Sequence, residues 1–142
     1  MRIQSILDAK GSRVEAVDAD VRVEEAARTL ADLGIGSLVV HAGAVVVGIL
    51  DERDIVYGLT KHGRAVFDLP VAELMRREPV TCTPDQNGRE VVALMTARRV
   101  RHVLVMGPLG PCGIVSIGDL VKARLEEAEL EVSVLRDYAR AR

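Results

Sequence analysis

Two aspartates, Asp54 and Asp119, each stand three residues beyond a residue able to cap a helix, Asp51 in the first case and Ser116 in the second. Both close an apolar run: Gly48-Ile49-Leu50-Asp51-Glu52-Arg53-Asp54 and Gly113-Ile114-Val115-Ser116-Ile117-Gly118-Asp119. A buried strand turning into a helix has this pattern, and an acid three residues after the cap is the capping-box spacing. The chemistry open to such a turn is hydrogen bonding. A carboxylate is a strong acceptor, and a helix start offers unpaired N–H groups and the positive end of the dipole to an anion. The same residues can also be caps and nothing more, with acids placed favourably near that dipole.

The two turns lie 65 residues apart, and the same offset pairs Asp20 with Asp85, Glu25 with Glu90, Val40 with Val105 and Val56 with Val121 without a gap. The chain is a tandem repeat. At 142 residues it has the length of one domain, and a copy of about 60 residues is marginal alone, so one shared core is expected. Hydrophobic residues make up 49% and aromatics 2%, which requires an aliphatic core and leaves no platform for stacking single-stranded nucleic acid. A formal charge of −2 gives no electrostatic case for nucleic acid or an anionic membrane. No apolar stretch reaches the length of a membrane span, and Met1-Arg2-Ile3-Gln4-Ser5 lacks a signal peptide's apolar run. Cys82 and Cys112 lack zinc-site spacing and read as small core residues of a reducing compartment, so a cytoplasmic address is expected.

The elements that would position the aspartates follow from periodicity. A short strand is predicted from Val14 through Val17, then a helix with Val23, Ala26, Ala27, Leu30 and Leu33 on one face, ended by Gly34 and Gly36. Ser37–Val40 and Ala44–Leu50 read as neighbouring antiparallel strands, followed by a helix from Asp51 to about Lys61 with Ile55, Val56 and Leu59 inward. His62 to Pro70 is a linker, and Val71–Met75 a helical turn. The second copy repeats the order: Val80–Cys82 as strand, a helix with Val91, Val92, Leu94 and Met95 apolar, strands at His102–Met106 and Pro111–Val115, and a long helix from Ser116. Leu125, Ala128, Val132, Leu135 and Tyr138 form a heptad-like stripe on that last helix.

This order of strand, helix, strand, strand and helix, with the Gly-apolar-apolar-[Ser/Asp]-x-x-Asp turn at its end, resembles a CBS domain. The tandem resembles a CBS pair, or Bateman module, over about Val14 to Glu126, on Gly48–Val56, Arg99–Val105 and Gly113–Val121. It is closest to small stand-alone bacterial proteins of that kind. Asp51 stands where the family often has Ser or Thr, and Leu104 where it often has Pro. The resemblance implies an α/β fold of two tandem β-α-β-β-α repeats packed as one pseudo-symmetric module with a long C-terminal helix. We place the first domain at residues 8–66, the second at 72–130 and the helix extension at 131–142.

The resemblance further implies that adenosine-containing ligands (AMP, ADP, ATP or NAD(H)) bind in clefts between the two repeats as regulatory ligands, with no cofactor required. Asp119 and Asp54 would accept hydrogen bonds from ribose hydroxyls, each charge-assisted bond being worth roughly 1.5–3 kcal/mol. Ser116 would donate to phosphate or ribose, and Arg101 and His102 match the family's phosphate-contacting strand positions. Read without the family, Arg98-Arg99-Val100-Arg101-His102 is a solvated helix end. Adenine would lie among Val80, Cys82, Ile114 and Val103. Arg53 is the one cation expected near the first copy's turn, where Asp51 and Asp54 would repel a phosphate. The resemblance also implies a homodimer. No nucleophile–base pair, metal-ligand spacing or phosphate loop is present, and His41, His62 and His102 fall in unrelated contexts, so neither catalysis nor a metal is expected. The competing reading is a ligand-free dimerisation scaffold whose Asp turns are only caps.

Overall fold

The computed structural model of the chain describes residues 1–11 and 13–141; Ser12 lies outside them, as does Arg142, the last residue of the expected helix extension. The described residues divide into two compact units, one being Val14–Pro79 and the other joining Met1–Arg13 to the chain from Val80 onward.

The chain opens with a helix that sequence periodicity did not lead us to expect, α1 (Ile3–Lys10), which belongs to the second unit. The first unit then runs β1 (Ala16–Asp18), α2 (Val23–Leu33), β2 (Ser37–Ala42), β3 (Val45–Asp51) and α3 (Glu52–His62). The expected linker contains a 3-10 helix, Gly63–Asp68, and the expected helical turn after it is a second one, Val71–Glu73, followed by a two-residue strand, β4 (Arg76–Arg77). The second unit continues with β5 (Thr81–Cys82), α4 (Gly88–Arg98), β6 (His102–Gly107), β7 (Gly110–Ser116) and the long α5 (Ile117–Arg140).

The first sheet has the order β1-β2-β3-β4 and the second β5-β6-β7. In each, the opening strand runs parallel to the next, and the hairpin β2–β3 or β6–β7 is antiparallel. The 65-residue offset carries every shared element of one repeat onto the other, including the bulge, which falls at Val40/His41 and at Val105/Met106. It also carries the helix stops: Gly34 closes α2 in the left-handed conformation (φ 62°), while in the second copy Arg99 must adopt it (φ 55°). A non-glycine residue takes that shape at a cost of about 1 kcal/mol.

Most of the buried apolar side chains fall in two clusters, one in each unit, while Val39, Ile49 and Leu104 are buried outside both. Leu38, Val40 and Leu50 from the strands meet Val23, Ala26 and Leu30 of α2 in the first. In the second, Val103, Val105 and Val115 meet Val91 and Met95 of α4 and Leu120 of α5. Ile3, Ile6 and Leu7 of α1 complete it, which is how a small repeat gains the apolar area that its own length cannot supply. Both clusters are aliphatic, as the composition requires. One expected face is corrected: α3 buries Asp54 and Gly58, whereas Val56 and Leu59 are exposed.

Each repeat is closed by a segment from just ahead of the other one. In the first unit, Val23 N–H donates to the Leu69 carbonyl (2.9 Å), Val71 N–H to Val21 (2.8 Å) and Ala72 N–H to Ala19 (3.1 Å). In the second, Gly88 N–H donates to Met1 (2.8 Å), Ile3 N–H to Gln86 (3.1 Å) and Gln4 N–H to Pro84 (2.8 Å), the same three contacts at equivalent positions. The glycine that opens each Asp turn makes room for the incoming segment. A Cβ on Gly48 would lie 2.6 Å from the Arg76 carbonyl oxygen, and one on Gly113 would lie 2.5 Å from Leu7 Cδ2.

Candidate functional site

Both Asp turns are complete capping boxes. In the second repeat, Ser116 Oγ accepts from the Asp119 N–H (3.1 Å), and Asp119 Oδ2 accepts from the Ser116 N–H (2.8 Å). In the first, Asp51 Oδ1 accepts from the Asp54 N–H (3.0 Å), and Asp54 Oδ2 accepts from the Asp51 N–H (2.9 Å). These reciprocal bonds satisfy the donors that a helix start would otherwise leave unpaired, and they fix each carboxylate at the head of its helix.

The hairpins bring the neighbouring candidates to the same end. Ser116 lies directly opposite His102 in the β6–β7 ladder, and the Ile117 N–H donates to the Arg101 carbonyl at 2.9 Å. Arg101 is exposed and His102 half-buried. The first repeat sets Asp51 opposite Ser37, with the Glu52 N–H on the Gly36 carbonyl at 3.1 Å. Of the four residues expected around adenine, Cys82 and Val103 are 2% and 0% exposed and sit within the core of their unit, so only Val80 and Ile114 present surface. Burial pushes the Cys82 thiol up to about 11, which keeps it protonated and unreactive near neutral pH.

Each carboxylate also holds a cation that the sequence pattern did not reveal. Lys10, at the end of α1, donates to Asp119 Oδ2 at 2.7 Å and to the Ile114 carbonyl at 2.9 Å. In the first repeat, Arg76 Nη2 lies 2.9 Å from Asp51 Oδ2, and its Nε lies 3.4 Å from Asp54 Oδ1. The cation at that turn is therefore Arg76. Arg53, expected there, instead donates to the Tyr57 hydroxyl at 3.1 Å with its guanidinium 5.8 Å from the ring centre. Lys10 and Asp119 are 109 residues apart. The one local hint was the helical spacing of Ile3, Ile6, Leu7 and Lys10. A two-residue strand has no period to detect, so nothing local marked Arg76.

The two carboxylates experience different environments. Asp54 is 8% exposed and Asp51 3%. Burial is the largest influence on Asp54 and, with the Asp51 charge, pushes its carboxyl up to about 6 against the opposing Asp51 N–H and Arg76 guanidinium. The Asp119 side chain keeps 25% exposure. Burial is again the largest single influence and acts upward, but Lys10 and the Ser116 N–H together outweigh it and hold the carboxyl below its usual range. Asp119 and Lys10 line a groove of about 380 Å³ between α1 and α5, with Met1, Ser5, Lys122 and Glu126 among the other walls. Such a groove can offer a ligand one fixed acceptor and flanking ammonium groups. Among the described residues, no helix is long and apolar enough to cross a membrane.

Comparison with known proteins bears on what this arrangement serves. The chain is similar to a CBS-domain containing protein of Agrobacterium tumefaciens, 40% identical, with a TM-score of 0.84 over 87% of this chain and 92% of that one. It is 30% identical to a mitochondrial CBS domain-containing protein of Arabidopsis thaliana over 96% of this chain and 70% of the relative. A hexameric CBS-CP12 protein from bloom-forming cyanobacteria matches 99% of this chain and 85% of its own, with 25% identity and a TM-score of 0.78. The family model for the CBS domain matches twice, at residues 11–61 and 71–126. The chain belongs to the CBS-domain family and carries two CBS domains in tandem.

Proposed function

We propose that this protein is a non-catalytic sensor of adenosine-containing nucleotides, AMP, ADP, ATP or NAD(H), and that the turn of its second repeat receives the ligand. Tandem CBS modules are regulatory and often bind nucleotides. The observation that carries the reading here is the unequal exposure of two equivalent carboxylates. Asp119 is fixed by its capping box and open to solvent on a groove, whereas Asp54 is enclosed with Asp51 and Arg76. A ribose diol needs a held, accessible acceptor, and Asp119 meets both conditions. Arg101, His102 and Lys10 supply positive or donor groups for phosphate at the same end of the unit, beside Ser116. Val80 and Ile114 offer apolar surface for the base.

The same reading makes the protein a cytoplasmic homodimer. Two free cysteines suit a reducing compartment, and Val56 and Leu59 on α3 and Val121 on α5 leave apolar surface for a second copy to cover. A second reading, a ligand-free scaffold, is favoured by one specific observation: both capping boxes are complete and each already carries a cation.

A thermal-shift panel with AMP, ADP, ATP, NAD(H) and S-adenosylmethionine separates the two. A nucleotide present at 100-fold over its Kd stabilises the folded chain by about 2.7 kcal/mol, a clear rise in melting temperature. The scaffold reading requires no rise with any of them.

A further inference from the structure

The helix α5 is 24 residues long, about 36 Å, and every residue from Ala128 to Arg140 is exposed. An isolated stretch of that length is marginal as a helix in water and gains its stability from a packed face. The face that its own unit covers carries Leu120, fully buried, and Ala123, partly buried. A separate stripe lies roughly 100° around the helix: Val121, Leu125, Ala128, Val132, Leu135 and Ala139, spaced 4-3-4-3-4. Val121 is 52% exposed, Leu125 58%, Val132 46% and Leu135 67%. These are the alternating a and d positions of three heptads, with Leu125, Val132 and Ala139 at a and Val121, Ala128 and Leu135 at d.

We propose that α5 pairs through this stripe with α5 of a second copy, as a parallel, in-register two-stranded coiled coil. The flanking charges argue for both the occupant and the orientation. The g positions hold Arg124, Glu131 and Tyr138, and the e positions hold Lys122, Glu129 and Arg136. In a parallel pair, each g residue meets the e residue five positions on in the other strand. Arg124 then faces the partner's Glu129, and Glu131 faces the partner's Arg136; both pairs attract and both occur twice by symmetry. A fully overlapped antiparallel pair sets Glu129 against Glu129, Glu131 against Glu131 and Lys122 against Arg136, all repulsive. A partner of different sequence has no reason to match this pattern, whereas a second copy matches it without further assumption.

The test uses the full chain. Sedimentation equilibrium of the parent should show a dimer at micromolar concentration. Leu135→Asp, a change at an exposed position, should dissociate it while the helical circular dichroism of the module remains. Arg136→Glu separates the orientations. It should weaken a parallel dimer roughly fivefold at low salt by setting Glu against Glu, and the double variant Glu131→Arg with Arg136→Glu should restore it. Ala139→Cys should cross-link on oxidation, in excess of the parent, because the two a positions face each other. A monomeric parent, a dimer indifferent to Leu135→Asp, or a dimer tightened by Arg136→Glu would each overturn the proposal. The second of these outcomes leaves nucleotide sensing and dimerisation through other faces untouched.

Discussion

Asp54 and Asp119 occupy one place in the repeat and respond to their surroundings in opposite directions. The folded Asp54 carboxyl titrates near 6 against an ordinary 3.8. Its contribution to stability is therefore fully present below pH 3.8 and is lost as pH rises through 6, an effect of about 2–3 kcal/mol. Asp119 is shifted down, so its contribution is present above its ordinary 3.8 and is lost as pH falls below that value. We expect Asp54→Asn to become progressively more stable relative to the parent between pH 4 and 7 in paired thermal melts. A constant difference across that range would show that burial does not raise this carboxyl. At the C-terminal end of α1, Lys10→Gln removes the Asp119 ion pair, which is partly open to water. It should lower stability by less than about 1 kcal/mol in urea titration, and a larger loss would mean that Lys10 anchors the helix. The sequence made the two aspartates and Ser116 legible because a capping box is local, four residues wide. Lys10 and Arg76 were not legible, because what gives them a role is a contact across the fold.

Among the elements, the glycine opening each Asp turn links the repeat to the segment that closes it. Gly113→Ala should cost about 1–3 kcal/mol, because its Cβ would meet Leu7, which is 2% exposed and has little room to move. Leu7→Ala alone should cost about 2–4 kcal/mol by opening a cavity. The double variant should be more stable than the two losses added together, since the smaller side chain vacates the space that the new methyl needs. Strict additivity in a chemical-denaturation cycle would contradict the contact. Arg99 offers a gain instead. Replacing this exposed left-handed residue with Gly should stabilise the chain by about 0.5–1 kcal/mol, as the equivalent Gly34 already does for α2; a lower melting temperature would count against it. Long periodic elements such as α2 and the hairpins were readable from their spacing. β4 was not, since two residues carry no period, and α3 was misread because its inward side is Asp54 and Gly58, with the apolar Val56 and Leu59 turned outward.

For the whole molecule, the offset of 65 residues organises everything from helix stops to bulges, yet the two turns it relates are chemically unequal. The tandem repeat was visible in the sequence. The inequality was visible only in part, as Asp51 standing in the place of Ser116, because the burial of Asp54 and its guanidinium partner come from packing. A duplicated fold with one open carboxylate suits a sensor that takes a single nucleotide per chain. Isothermal titration of the parent and of Asp119→Ala with AMP tests this most directly. We predict one saturable site per chain in the parent and binding weakened about tenfold or more in the variant, with the melting transition kept, since a lost helix-cap acid costs only about 1 kcal/mol. Unchanged AMP binding by Asp119→Ala, or two equal and independent sites in the parent, would contradict the account.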